Sequence, residues 1–372
     1  MKIVDNDMKE IISEFSPDID NAKLHFNEAL VHLSEHSKYE EELAIAKKII
    51  DKLIKRFEQY FDSSNILMAM FLRATIEDIA YIYGLAGEIY SHINEEKSLE
   101  YYKIFQYYTF WFWLTSTANQ SSEEKFDYHD RKFYGVTAYK FRSCSRYLFD
   151  DLEKEQITLS RPSCMNDPFD SLYSIWSRPE NLYDTCKDKK HIKMFHKSFD
   201  YYRFCSFCID DDKNSILNNN LMWSHYANEH KGVCIRYKLM DDCISSSISL
   251  DIHHQTCLHK IHYNNSIDDK PISVNDKSIA IGAAFAQKQE CWEYEKESRL
   301  ICFDDTTEND RIIIPYDEGI CIEAVYFGLN CSDKDEATIK KLLAGKQVEY
   351  YYMKLDNKNV YRMKIDNNKL IL

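Results

Sequence analysis

The spacing of apolar residues changes once along this chain, and that change limits the folds open to it. Up to about residue 120 the apolar positions recur at helical spacing, and beyond about 135 they recur every second residue in short runs. The helical signal covers 21–33 and 39–61, where Leu43, Ala46, Ile50, Leu53, Phe57 and Tyr60 alternate with Lys and Glu. It continues over 65–92 through Met68, Phe71, Ile76, Ile79, Ile82 and Leu85. After Asn94-Glu95-Glu96 a fourth helix runs through Leu99, Tyr102, Phe105, Tyr108, Trp111 and Leu114. Gly84 to Tyr90, a turn, and Ser98 to Tyr102 resemble one tetratricopeptide-type hairpin, with no repeat at a fixed period; a plain helical bundle is the simpler reading. The aromatic run 107–113 either packs into a core or lines a groove for a protein partner.

The second half reads as strands at 136–141, 202–208, 233–237, 298–303, 311–314, 320–327, 348–355 and 360–365. Helical pieces fall at 145–154, 190–195, 280–290 and 333–343. The expected architecture is therefore α+β: an all-helical domain over 1–120, a polar linker over 121–134, and a mixed, mainly antiparallel domain over 135–372. All twelve cysteines lie from Cys144 onward, and no proline occurs between Pro17 and Pro162, which also separates the halves.

Charge and composition narrow the function classes. There are 61 acidic against 47 basic residues, a net charge of -14, which disfavours broad contact with nucleic acid or an anionic membrane. No uninterrupted apolar stretch is long enough to span a bilayer, and the first residues lack the apolar run of a signal peptide, so a cytoplasmic protein is expected. In that compartment the cysteines are expected to be reduced thiols. No phosphate-binding loop, GxGxxG or GxSxG occurs, which removes nucleotide kinases, Rossmann dehydrogenases and α/β-hydrolases.

The densest cluster of aromatic, imidazole and hydroxyl groups is 222–237, with Met222, Trp223, Ser224, His225, Tyr226, Asn228 and His230 ahead of Gly232. A helix over 222–228 would put Met222, Trp223 and Tyr226 on one face, and Gly232 would stop it in the left-handed conformation. From Val233 a strand begins. Tyr139-Lys140-Phe141-Arg142 ends the first strand with Lys140 and Arg142 on one face, as anion ligands or solvated edge cations. Asn166-Asp167-Pro168 is a turn signal, with Asp170 beyond it. Cys205 and Cys208 form a lone CxxC whose sulfurs would point to opposite faces of a strand. Glu295, Glu297 and Arg299 would share a face if extended, either orienting a hydroxyl and stabilising an oxocarbenium ion or forming a cross-strand ion pair. His253, His254, Cys257, His259 and His262 match no standard zinc spacing, and no metal is expected.

Taken in order, the segments 139–142, 165–170, 204–206, 222–234 and 292–301, with Ala324-Val325-Tyr326-Phe327-Gly328 after them, resemble the bacterial DUF2971 family, whose function is not given by its name. The resemblance runs from about 137 to 345. A second resemblance is to ADP-ribosyltransferase-like folds of the arginine-serine-glutamate class, through Arg142, Ser206 and Glu295-Lys296-Glu297 in that order. Here Ser206 lacks the Ser-Thr-Ser context of that class, and Trp223-Ser224-His225-Tyr226 is foreign to it. That resemblance implies NAD as substrate, with Arg142, Tyr139 and Ser206 on the dinucleotide side and Tyr226 stacking on nicotinamide. It further implies Glu297 as the carboxylate facing the ribosyl cation and Glu295 as the group orienting the nucleophile, with His225 beside them.

Three readings follow. The leading one is an NAD-consuming enzyme, an ADP-ribosyltransferase or NAD glycohydrolase, with the N-terminal helices regulating it or selecting protein targets, and by analogy a bacterial toxin or anti-phage effector. The second is a nuclease or phosphodiesterase using His225, His230, Asp167 and Glu297. The third is a ligand-sensing or protein-interaction module without catalysis. They separate on whether His225, Tyr226, Arg142 and Glu297 line one cleft.

Overall fold

The computed structural model describes residues 16–32, 36–60, 73–117, 136–164, 194, 197–209, 216–239, 255–263, 285, 287–304, 311–316 and 319–366. By proximity the chain divides into two units, Met1–Glu123 with Met165–Tyr201 and Ser266–Gln287, and Glu124–Cys164 with Tyr202–Asn265 and Lys288–Leu372.

Four helices carry the first unit: α1 (Ser16–Val31), α2 (His36–Tyr60), α3 (Arg73–Ser91) and α4 (Glu95–Thr117). The helical period is cashed out as burial. Ile19, Ala22, Phe26 and Ala29 of α1 are buried, as are Leu43, Ala46, Ile50 and Leu53 of α2. His25 Nδ1 lies 2.6 Å from Glu42 Oε2, tying the two helices at their rim. The hairpin of α3 and α4 closes where Gly87 meets Tyr102: a Cβ on Gly87 would lie 2.7 Å from that ring. Ser98 Oγ donates to the Gly87 carbonyl at 2.8 Å, and Asn94 Oδ1 accepts from the Lys97 N–H at 3.0 Å to start α4. The side chains of Phe110 to Trp113, in the aromatic run singled out above, lie outside the described residues.

The second unit is built on strands β1 (Val136–Arg142), β2 (Gln156–Ser160), β3 (Tyr202–Cys208), β4 (Val233–Leu239), β5 (Gln255–Lys260), β8 (Glu297–Phe303), β9 (Arg311–Pro315), β10 (Ile320–Phe327), β11 (Glu349–Asp356) and β12 (Asn359–Ile365). Short β6 (His262–Tyr263) and β7 (Gln287–Lys288) lie outside this sheet. The order is β12-β11-β10-β4-β1-β3-β2-β9, and β8 branches from β3 to carry β5. Every pairing is antiparallel except β10 with β11. Helices α5 (Arg146–Glu153), α6 (Asn220–Tyr226) and α7 (Asp333–Leu342) complete it. This is the α+β arrangement that the change of period predicts.

Strand alternation splits the core in two. Along β4, Val233, Ile235, Tyr237 and Leu239 join one apolar cluster with Leu148, Leu152, Phe207 and Leu300. Cys234 joins the other, with Phe141, Cys208, Met222, Trp223 and Tyr326. Cys205 and Cys208 accordingly sit in different clusters, as their spacing on a strand requires.

Three expectations are revised. Strand β2, Gln-Ile-Thr-Leu-Ser, has clean alternation in only five residues and escapes a reading for longer runs. The expected helix over 280–290 lies mostly outside the described residues, and at its end Gln287–Lys288 is a strand followed by the 3₁₀ turn Glu290–Glu295. Gly232 is not the left-handed residue after α6. That conformation is taken by Asn228 (φ 48°), Glu229 (φ 56°) and His230 (φ 68°), and Gly232 serves close packing instead. A Cβ on Gly232 would lie 2.2 Å from the Arg142 carbonyl oxygen and 2.9 Å from that of Ala227. Gly328 repeats the device, since its Cβ would lie 2.3 Å from the His230 carbonyl oxygen.

Candidate functional site

The site begins with helix α6, seven residues long and started by Asn219, whose side chain accepts from the Leu221 N–H. So short a helix is marginal by itself and is held by tertiary contacts. Trp223 is fully buried, donates its indole N–H to the Leu217 carbonyl at 2.8 Å, and meets the Phe141 ring edge-to-face at 5.1 Å. Anchoring Met222 and Trp223 below leaves His225 exposed and Tyr226 half-buried above.

The opposite wall comes from the 3₁₀ turn. It ends in Lys296 at φ 46°, and that left-handed residue reverses the chain so that β8 starts at Glu297. Glu295 and Glu297 are therefore not one extended face; the turn brings both carboxylates to a single ammonium instead. Lys288 Nζ lies 2.6 Å from Glu295 Oε2 and 3.0 Å from Glu297 Oε2. Arg299 Nε donates to Glu297 Oε1 at 2.7 Å, and the Tyr226 hydroxyl donates to Glu295 Oε1 in a short hydrogen bond. The Tyr263 hydroxyl accepts from the Glu297 N–H at 2.7 Å. Lys288, Glu295, Glu297 and Arg299 are all buried, Arg299 completely.

Two carboxyls two residues apart are thus put in opposite states. Burial raises Glu295, and Lys288 together with the Tyr226 hydrogen bond offsets only part of that, so its carboxyl holds a proton more readily than an ordinary glutamate. Burial acts on Glu297 in the same direction, yet Arg299, Lys288 and a hydrogen bond with the Ser206 side chain outweigh it and keep it ionised well below the usual range. Burial and the adjacent Glu295 push the Tyr226 phenol up, so it remains a donor. Carboxyls driven apart in this way are how acid and base roles are divided in active sites. On the exposed side, His225 Nδ1 is 3.0 Å from the Tyr294 hydroxyl, and Lys288 lies 5.2 Å from the centre of the Trp292 ring. Burial pushes the Tyr294 phenol up to about 12.

Of the residues singled out in the sequence, Glu295, Glu297, Tyr226 and Ser206 meet here, and His225 reaches the same edge through Tyr294. Arg142 does not. Tyr139 stands opposite Cys208, and Cys208 opposite Glu297, so Tyr139 shares the Glu297 face while Arg142, three residues on, projects from the other. There it pairs with buried Asp151 at 3.0 Å, which also accepts from Thr158 at 2.8 Å. The Tyr139 ring lies 6.3 Å from that of Tyr326. His230 has partners of its own: its ring stacks on Trp223, and its Nε2 is 3.2 Å from Ser224 Oγ. Asp167, Asp170, His253 and His254 lie outside the described residues, as do the side chains of Cys257 and His259 in β5, while His262 is exposed in β6.

Sequence reasoning missed Lys288, the hub of the cluster, and Tyr263. Lys288 stands in a polar Gln-Lys-Gln run that reads as a helix tail, and no local pattern announces that a lysine there is buried. Among the described residues no helix is long and apolar enough to cross a membrane. No curated protein and no solved structure matches this chain. Residues 222–300, which hold Tyr226, Tyr263, Lys288 and both carboxylates, match the model of a family described as "Protein of unknown function (DUF2971)".

Proposed function

We propose that this protein cleaves the N-glycosidic bond of NAD, releasing nicotinamide and passing the ADP-ribosyl group to water or to a protein acceptor. The reading rests on one observation: Ser206, Tyr226, Glu295 and Glu297, far apart in sequence, meet around Lys288 with their two carboxyls in opposite protonation tendencies. Nicotinamide leaves with the bonding electrons, and positive charge develops on the ribose. Ionised Glu297 is the anion set to face that charge, and Glu295, with its raised affinity for a proton, accepts the proton of the attacking hydroxyl. Tyr226 holds Glu295 in place. Arg142, engaged with Asp151 on the opposite face, has no part in it; Arg299 and Lys288 are the cations of the site. The N-terminal helices supply the surface for a protein target or partner.

The test is nicotinamide release from NAD by the full chain, beside Glu297→Gln and Glu295→Gln. We expect each substitution to cost at least about a hundredfold, as removal of an acid–base group does. Release no faster from the native chain than from either variant would overturn the reading.

A second reading, a ligand-sensing module without catalysis, is favoured by the pairing of Glu297: both its oxygens are already held, by Arg299 and by Lys288. In that case the cluster fixes the fold of the site edge, and NAD turnover is absent from all three proteins.

A further inference from the structure

Away from the carboxylate cluster, the sheet brings two partly exposed thiols together. Val233 at the start of β4 stands opposite Arg142 on one side and Phe327 on the other. Beyond that row the flanking chains remain in contact, because Gly232 admits the Arg142 carbonyl and the Gly328 N–H donates to the Gly232 carbonyl at 3.0 Å. Cys144 lies two residues past Arg142. Cys331 lies three past Gly328, and its N–H donates to the Gly328 carbonyl at 3.1 Å. The two thiols hydrogen-bond each other, pack against the same apolar cluster, and are half-buried and free.

We propose that Cys144 and Cys331 are a redox-reactive pair that closes to a disulfide when the protein meets a small-molecule disulfide such as oxidised glutathione. The Cys331 thiolate attacks one sulfur of the oxidant, breaking its S–S bond and releasing one glutathione thiolate. Cys144, its proton passed to solvent, then attacks Cys331 Sγ and displaces the second glutathione. The protein loses two electrons and two thiol protons, and the oxidant gains two electrons to become two thiols.

Cys331 is the attacking thiol because it immediately precedes Ser332, the N-cap of α7, whose Oγ accepts from the Asp335 N–H at 3.1 Å; a helix N-terminus favours a thiolate. The hydrogen bond from Cys144 lowers Cys331 further and raises Cys144. Closure needs the sulfurs to move only from hydrogen-bond contact to the ~2.05 Å of a disulfide. The bond would staple the chain leaving β1 to the chain leaving β10, across the two glycine contacts that hold the left-handed turn behind α6.

The experiment incubates the full chain with oxidised glutathione, alkylates the remaining thiols, digests without reductant and maps the peptides by mass. The expected product is a linked Cys144–Cys331 peptide, while exposed Cys164, Cys291 and Cys321 remain alkylated or singly glutathionylated. In Cys144→Ser the link is lost and glutathione accumulates on Cys331. Recovery of Cys144 and Cys331 as separate alkylated peptides from the oxidised native chain would overturn the proposal. So would linkage of either to another cysteine, or a glutathione adduct on Cys331 that persists with Cys144 present. The native-chain map decides even if the variant does not fold.

Discussion

Lys288 shows how one side chain can set the chemistry of its neighbours. A buried ammonium shared by two carboxylates cannot satisfy both equally; Glu297 has Arg299 as a second cation, whereas Glu295 has a neutral phenol. The difference in partners, more than any difference in burial, separates the two carboxyls. His230 shows the simpler case in which burial acts alone. Its pKa is lowered from 6.5 by desolvation, so the unfolded chain binds a proton that the folded protein refuses. Its contribution to stability is therefore complete above about pH 6.5 and is lost as pH falls toward the folded value. Replacing His230 by Asn, which tolerates the left-handed backbone, is expected to flatten the fall in stability on the acid side of that value. Urea unfolding of both proteins across that range checks this, and parallel pH profiles would count against it.

At the scale of elements, the connection from α6 to β4 does the positioning. Three successive non-glycine residues in the left-handed region cost of order 1 kcal/mol each, and they persist because surrounding hydrogen bonds fix them. The His230 N–H donates to the Trp223 carbonyl at 3.1 Å, the Gly232 N–H to the Ala227 carbonyl at 2.7 Å, and the Asn330 N–H to the His230 carbonyl at 2.9 Å. Gly232→Ala places a Cβ against two backbone carbonyls that have nowhere to go, so the expected loss is about 3 kcal/mol, at the top of the overpacking range. Thermal unfolding measures it, and a loss below about 1 kcal/mol would mean that the turn shifts freely. Strand β4, with four of its seven residues in one cluster, was legible from alternation, and α6 from the spacing of Met222, Trp223 and Tyr226. The left-handed turn was not, because Asn-Glu-His carries no glycine signal and its geometry is imposed by strands 90 residues or more away in sequence. Glu295 and Glu297 were legible as a pair, but their approach to one lysine depends on the left-handed Lys296, which is equally silent. The opposite placement of Arg142 follows from register: whether a residue faces Glu297 depends on which strand lies between them, and spacing along one strand cannot state that.

For the molecule as a whole, the cluster makes opposed contributions to stability. Glu297, with its folded pKa depressed, adds stability that is present above about pH 4.5 and is lost as pH falls through the folded value. Glu295, with its folded pKa raised, contributes stability that is present below about pH 4.5 and is lost as pH rises through its folded value. A fold seeking stability alone gains nothing from keeping a reluctant carboxylate buried beside a satisfied one, which is the physical ground for reading the pair as a working site. The most direct test is carboxyl-carbon NMR of the two glutamates, titrated in the folded chain and again in urea, with Glu295→Gln and Glu297→Gln assigning the signals. The account predicts that Glu295 titrates above its value in urea and Glu297 below its own. Coincident folded-state titrations near 4.5 would contradict it.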